Sequence, residues 1–237
     1  MFLNRGDRLA IVDFEDRKIN YTELVNNVRY FSENVIPAEK EDFGLILMEN
    51  RPEWIYTYFA LWDRKAIPIA LDSTSSSKEI LYVLGDSDPK FIICSNESEK
   101  NVREAVSMYE KGEITVINVD NHPIDENKLE VIRNSNFELE NPEGDSIATM
   151  LYTSGTTGSP KGVMLTFNNL SSELEGLEKK DLLEPTDQIL ALLPFHHVLP
   201  LTATVLIILQ HQASMVFVKK IASKEILEAL DKNNVTA

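Results

Sequence analysis

Three features of this sequence predict a doubly wound α/β fold, with a mostly parallel sheet flanked by helices. Short runs rich in Val, Ile and Leu recur without polar alternation, as strands covered on both faces require. Between them, apolar residues repeat at helical spacing. Strand and helix alternate along the chain, which favours parallel neighbours joined by right-handed crossovers.

The expected strands are GLILM (Gly44 to Met48), AIPIAL (Ala66 to Leu71), KFIIC (Lys90 to Cys94), ITVINV (Ile114 to Val119), IATMLYT (Ile147 to Thr153), QILALLPF (Gln188 to Phe195) and SMVFV (Ser214 to Val218). A first helix follows Thr22, a hydroxyl N-cap candidate, with Leu24, Val28, Phe31 and Val35 on one stripe. Asn50 and Pro52 can open a second, carrying Trp54, Ile55, Tyr58, Phe59 and Leu61. Further helices are expected from about Ser77 to Leu84, Ser98 to Glu110, Asn168 to Lys179 and Ser223 to Lys232, and a buried one over Val198 to Leu209. The acidic stretch Asn121 to Asp145 reads as a surface connection. There is no internal repeat. NNVTA (Asn233 to Ala237) looks like a strand beginning, so the chain is expected to be part of a longer one.

With 237 residues the chain can bury a substantial core. Its single cysteine, Cys94, excludes an internal disulfide framework and favours a reducing, cytoplasmic setting. MFLNRGDRLA does not read as a secretory signal, and Val198 to Leu209 is too short to cross a bilayer. Twenty-three basic against 38 acidic residues leave a net charge of −15, which argues against nucleic acid as a partner.

The densest chemistry lies in LYTSGTTGSPKGVMLT (Leu151 to Thr166). Thr153 to Gly162 hold three Gly, three Thr, two Ser, one Pro and one Lys. This stretch should form a strand ending near Thr153, a small polar loop, and a second extended run. Glycines let backbone N–H groups converge on an anion, the hydroxyls of Thr153, Ser154, Thr156, Thr157 and Ser159 add donors, and Lys161 adds a compact positive charge. Together they describe a polyphosphate grip. A Walker A loop would need Gly-Lys-Ser/Thr where this chain has Pro160, Lys161 and Gly162. Nor is the dinucleotide G-x-G-x-x-G spacing present.

The stretch does resemble the adenylate-forming (AMP-binding) superfamily of acyl-CoA synthetases, luciferases and peptide-synthetase adenylation domains. Their signature is similar to Y-T-S-G-T-T-G-x-P-K-G, and Tyr152 to Gly162 fit it at every position. The segment from Leu45 to Cys94, with Asn50, Glu53, Ala60 and IPIALD, resembles the family's early region, and LPFHHV (Leu193 to Val198) its next core motif. Lys65 stands where Gly is common and Phe167 where His is usual, which leaves the subfamily open.

The resemblance implies an N-terminal subdomain of an acyl-CoA synthetase-like fold. Residues 1–237 would be the N-terminal part of an AMP-binding domain, with the adenine-contacting, hinge and C-terminal lid segments beyond Ala237. It also implies ATP and Mg²⁺, with CoA as co-substrate. A carboxylic acid would be activated to an acyl-adenylate with release of pyrophosphate, then transferred to CoA. Thr153, Ser154, Gly155, Thr156, Thr157, Gly158 and Lys161 would hold the phosphates, the Thr153 hydroxyl would also contact the metal, and His197 would border the acyl pocket. The uncharged LPFHHVLPLTATVLIIL favours a medium- or long-chain fatty acid, and with it peripheral association with membranes through the lipid substrate. An aryl or amino acid substrate, a carrier-protein acceptor, an NTPase and a non-catalytic remnant are the alternatives. Nothing in the residues sets the oligomeric state. The same implication makes the 237-residue chain inactive by itself. His196 and the Trp54, Tyr58, Phe59 and Trp62 cluster read as structural, while Val198 to Leu209 is equally suited to lining an acyl tunnel or filling the core.

Overall fold

The computed structural model describes residues 2–140, 142–153, 160–180 and 183–237. Its strands divide between two sheets, where the alternating pattern alone suggests one. The larger has six strands in the order β6-β5-β3-β4-β7-β8, formed by β3 (Phe43–Leu47), β4 (Ile67–Leu71), β5 (Phe91–Cys94), β6 (Thr115–Asn118), β7 (Ile147–Thr153) and β8 (Lys161–Thr166). All neighbouring pairs are parallel except β7 with β8. The smaller sheet, β2-β1-β10-β9, contains β1 (Leu9–Val12), β2 (Lys18–Asn20), β9 (Gln188–Leu190) and β10 (Ser214–Val216).

The large sheet is covered on both faces, as its unbroken apolar strands require. Leu45, Leu47, Ile69, Ile92 and Met150 pack with Ile80, Val83 and Leu84 of α3 (Ser77–Ser87) and Val102 of α4 (Glu99–Ser107). Their alternate neighbours Ile46, Ala70, Ile93 and Leu151 join the core built on α1 (Tyr21–Asn34) and α2 (Pro52–Asp63). Period-two alternation thus sends each strand's side chains to two different helical layers. Trp54, Tyr58 and Trp62 of α2 do form a packed aromatic row, with Trp54 stacked on Tyr58 at 4.9 Å and Trp62 edge-on to Tyr58 at 5.0 Å. The helices α6 (Phe167–Glu178) and α9 (Ser223–Lys232) lie close to their expected bounds.

Local differences have physical causes. The cap of α1 is Asn20, not Thr22. Asn20 accepts from the Glu23 amide while the Glu23 carboxylate accepts from the Asn20 amide, each at 2.8 Å, which forms a capping box. The Thr22 hydroxyl instead exchanges hydrogen bonds with the backbone of Gly6. The hairpin β1–β2 escapes the pattern because its strands are so short; its turn is organised by buried Asp13, which accepts from the Glu15 and Arg17 amides. The acidic connection contains a helix, α5 (Glu126–Arg133), capped by Asp125. At the chain's end, the Thr236 amide donates to Gln188 O at 2.8 Å, and the Leu190 amide to Ala237 O at 2.9 Å.

Gly44 in β3 shows how tightly the layers fit. A Cβ there would stand 2.5 Å from Phe91 Cε2 and 2.9 Å from Leu61 Cδ2, both on buried side chains. Gly44→Ala should therefore destabilise the fold by about 1–3 kcal/mol, the usual cost of overpacking a filled core. A urea midpoint unchanged from the parent would contradict this account of the packing.

Candidate active site

The signature segment sits on the one antiparallel edge of the large sheet. Thr153 ends β7, Lys161 begins β8, and the two face each other as cross-strand partners with both side chains exposed. The expected phosphate contacts Ser154, Gly155, Thr156, Thr157 and Gly158, with Ser159, lie outside the described residues. Both stems of the loop are held by α3: the Tyr152 hydroxyl donates to Asp86 Oδ2 at 2.7 Å, and the Tyr82 hydroxyl to Pro160 O at 2.9 Å. Gly162 pairs with Tyr152 across the strands, and a Cβ on it would come within 2.9 Å of Met150 Sδ and 3.3 Å of the Tyr152 ring. The last glycine of the signature thus leaves room for the Met150 and Tyr152 side chains, which a larger residue would have to displace.

Beside this edge β4 pairs with β7, Ala70 opposite Leu151. Thr153 ends β7 two residues beyond Leu151, and Asp72 follows the last residue of β4. A cleft of about 390 Å³ is bordered by Glu49, Asn50, Asp72, His196, Lys219 and Lys220; it comes towards this edge through Asp72, and neither Thr153 nor Lys161 lines it. It therefore gathers the carboxyl ends of β3 and β4 and the residues following β9 and β10, the position where open α/β sheets bind ligands.

Of the two histidines, His196 lines the cleft, with Nε2 3.9 Å from Asp72 Oδ2, while His197 stacks obliquely against it at 4.1 Å and is exposed. Burial, followed by the adjacent His197, pushes the His196 imidazole below its ordinary value, against the pull of Asp72. Burial would raise the Asp72 carboxyl, but hydrogen bonds from the Thr74 amide and hydroxyl, together with His196 and His197, outweigh it and hold Asp72 low.

The stretch leading to these histidines is clamped by Asn50. Its Nδ2 donates to Ala191 O at 3.0 Å and Leu193 O at 2.8 Å, and its Oδ1 accepts from the Phe195 amide at 3.2 Å. Asn50 therefore does not cap α2; Arg51 stands at that position. Arg51 is paired with Glu49, Glu53 and Asp120 at 3.0, 2.8 and 2.9 Å. Burial opposes its charge, but these three carboxylates more than offset that. This role for Asn50 was missed in the sequence, where a helix-opening reading of Asn before Pro had the stronger local signal.

The apolar run after His197 is helical, as α7 (Val198–Pro200), a π-helical turn (Leu201–Leu206) and α8 (Ile207–Gln210). Leu201, Val205, Leu206 and Leu209 are buried in the core. Ala203, Ile207 and Ile208 border a cavity of about 200 Å³ together with Leu177, Leu183 and Ile189, a mostly apolar lining to which Glu178 and His211 add polar groups. Among the described residues, no helix is long and apolar enough to cross a membrane.

This is an α/β protein whose candidate ligand cleft lies at the carboxyl edge of parallel strands. Residues 3–237 match the AMP-binding enzyme family, and the chain belongs to it. Fatty acyl-CoA synthetase A of Dictyostelium discoideum is 34% identical over 143 residues, 54% of this chain and 21% of that protein. A 2-succinylbenzoate–CoA ligase of Bacillus subtilis is 27% identical over 241 residues, 97% of this chain and 45% of that protein. Among solved structures, O-succinylbenzoate coenzyme A synthetase (MenE) from Bacillus subtilis, in complex with ATP and magnesium ion, superposes with a TM-score of 0.76 at 25% identity, covering 97% of this chain and 59% of that one. The chain spans less than half the length of these two curated relatives. They are acid–CoA ligases for chemically different acids, so the family does not settle the substrate class.

The environment of His196 sets a measurable titration. Its NMR midpoint should lie below the ordinary 6.5, and Asp72→Asn should lower it further by removing the one charge that raises it. Because the folded state disfavours the imidazolium, this contribution to stability is fully present above pH 6.5 and is lost as pH falls from there through the folded midpoint. A midpoint at or above 6.5 would refute the assignment.

Proposed function

We propose that this chain is the phosphate-gripping part of an ATP-dependent acid–CoA ligase, and that its acid is a medium- or long-chain fatty acid. The observation carrying the reading is the signature Tyr152 to Gly162, with Thr153 and Lys161 paired across the strands at its two stems. In the reaction a carboxylate oxygen attacks the α-phosphorus of ATP, the α–β bridging bond breaks, and pyrophosphate leaves. The thiol of CoA then attacks the acyl carbon, releasing AMP and a proton. No general base is needed in the first step, since the acid is ionised at neutral pH.

The leaving pyrophosphate gathers negative charge, and fixed donors that meet it lower the barrier. Lys161 supplies a cation and Thr153 a hydroxyl at the two stems; Ser154, Gly155, Thr156, Thr157 and Gly158, outside the described residues, would add amides and hydroxyls between them. Mg²⁺ fits this setting, because it is usually held by nucleotide phosphates with few protein oxygens, and the exposed Thr153 hydroxyl is one such donor. When bound, the ion would neutralise part of the phosphate charge. His197 would stand at the acid's entrance, with cleft-lining His196 behind it.

A fatty acid is favoured by the uncharged run from Leu193 to Leu209 and by the mostly apolar cavity beside Ile207 and Ile208. The relatives' greater length supports the view that residues 1–237 are the N-terminal part of the AMP-binding domain and turn over little by themselves. The reading places the protein in the cytoplasm, meeting membranes through its lipid substrate.

Acid-dependent ATP–pyrophosphate exchange tests these points, run with Mg²⁺ and palmitate, decanoate or 2-succinylbenzoate. The 237-residue chain should be compared with a version continued to the length of its relatives. Exchange is expected in the longer chain with palmitate or decanoate, and Lys161→Ala should reduce it about 100-fold, as for loss of one transition-state charge contact. Better exchange with 2-succinylbenzoate would overturn the substrate reading, and acid-independent phosphate release would overturn adenylation itself.

A further inference from the structure

We propose that Tyr82 and Asp86 of α3 are positioning residues that hold the two stems of the signature loop in register for the nucleotide. The inference rests on the adenylation reading above. Its geometry is independent of that reading.

The two residues are four apart, so they stand on one face of the helix. Tyr82 reaches the carbonyl of Pro160, the residue before Lys161; Asp86 takes the hydroxyl of Tyr152, the residue before Thr153. One helix thereby grips both ends of the loop, each a single residue from a proposed phosphate contact. The helix itself is a firm base. Ser76 and Glu79 close its N-terminus in a capping box, and Ile80, Val83, Leu84 and Ser87 bury its opposite face against β4, β5 and β7. Because α3 begins five residues after Asp72, the same segment also leads away from the cleft floor.

Surface hydrogen bonds of this kind add little to global stability, since water competes for every partner. Their effect is expected on placement. Between strand partners that otherwise meet at an open sheet edge, small changes at the stems move a hydroxyl and an ammonium whose use depends on position. The side-chain chemistry also separates the two contacts. Asp86 serves only as an acceptor for Tyr152, so asparagine can replace it; Tyr82 serves only as a donor, so phenylalanine cannot.

The test uses Tyr82→Phe, Asp86→Ala, the double variant and Asp86→Asn, with hydrogen–deuterium exchange of the Thr153 and Lys161 amides read beside ATP–pyrophosphate exchange in the active form of the protein. The double variant should speed amide exchange at both stems and raise the KM for ATP about five- to twentyfold, from the loss of two modest hydrogen bonds. The KM for the acid and the thermal midpoint should stay near the parent's, and Asp86→Asn should restore parental behaviour. Unchanged amide exchange at the stems overturns the proposal, as does faster exchange with an unchanged KM for ATP, or equal rises in both KM values. If the parent shows no acid-dependent exchange at all, the adenylation reading fails instead, and the anchoring is decided by the amide exchange alone.

Discussion

Asn50 devotes its whole side-chain amide to three backbone groups of a distant segment, and the candidate site depends on that commitment. The segment from Ala191 to Phe195 leaves the small sheet, whereas Asn50 sits where β3 of the large sheet turns into α2. These three bonds join the sheets at their carboxyl edges. Arg51 braces the corner, because its half-buried charge is compensated only among Glu49, Glu53 and Asp120. Glu49 is in turn fixed by the Ser95 hydroxyl at 2.6 Å, and Asp120 by the Asn96 amide at 2.7 Å, so the network reaches the ends of β5 and β6. A cleft between two sheets keeps its shape only if their edges are tied, and here the tie is polar and directional.

The sequence made the α/β class legible because buried parallel strands are written as unbroken apolar runs, and FGLIL, IPIAL and FIIC leave no room for an amphipathic alternative. It could not reveal two sheets. Which strands are neighbours depends on long-range register, and β1 pairs with β10 across most of the chain. The signature was equally legible as a string, since Ser, Thr, Gly and Lys crowd one short loop. What it concealed was the division of labour within that string. Gly162 serves strand packing and Tyr152 anchors a stem, while the stems' support comes from Tyr82 and Asp86, two ordinary surface residues on a helix some seventy positions earlier. Likewise, the adjacent imidazoles of His196 and His197 are indistinguishable by composition; one faces Asp72 and the cleft, the other faces solvent.

The electrostatics of the edge follow from that arrangement. The chain as a whole is strongly acidic, with a net charge of −15, an unhelpful background for polyphosphate. A triphosphate can be accommodated only where local cations and amides outweigh the general field. At the stems, Lys161 is exposed and faces Thr153 across the strands, while Asp86 accepts from the Tyr152 hydroxyl and Asp72 from the Thr74 hydroxyl. Hydrogen bonds to a carboxylate favour its ionised form, so Asp72 keeps its charge, and a polyanion here would have to be held by Lys161 and amides against it. The proposed polyphosphate site therefore has to rely on Lys161 and on backbone amides of the signature to outweigh carboxylates that stay charged.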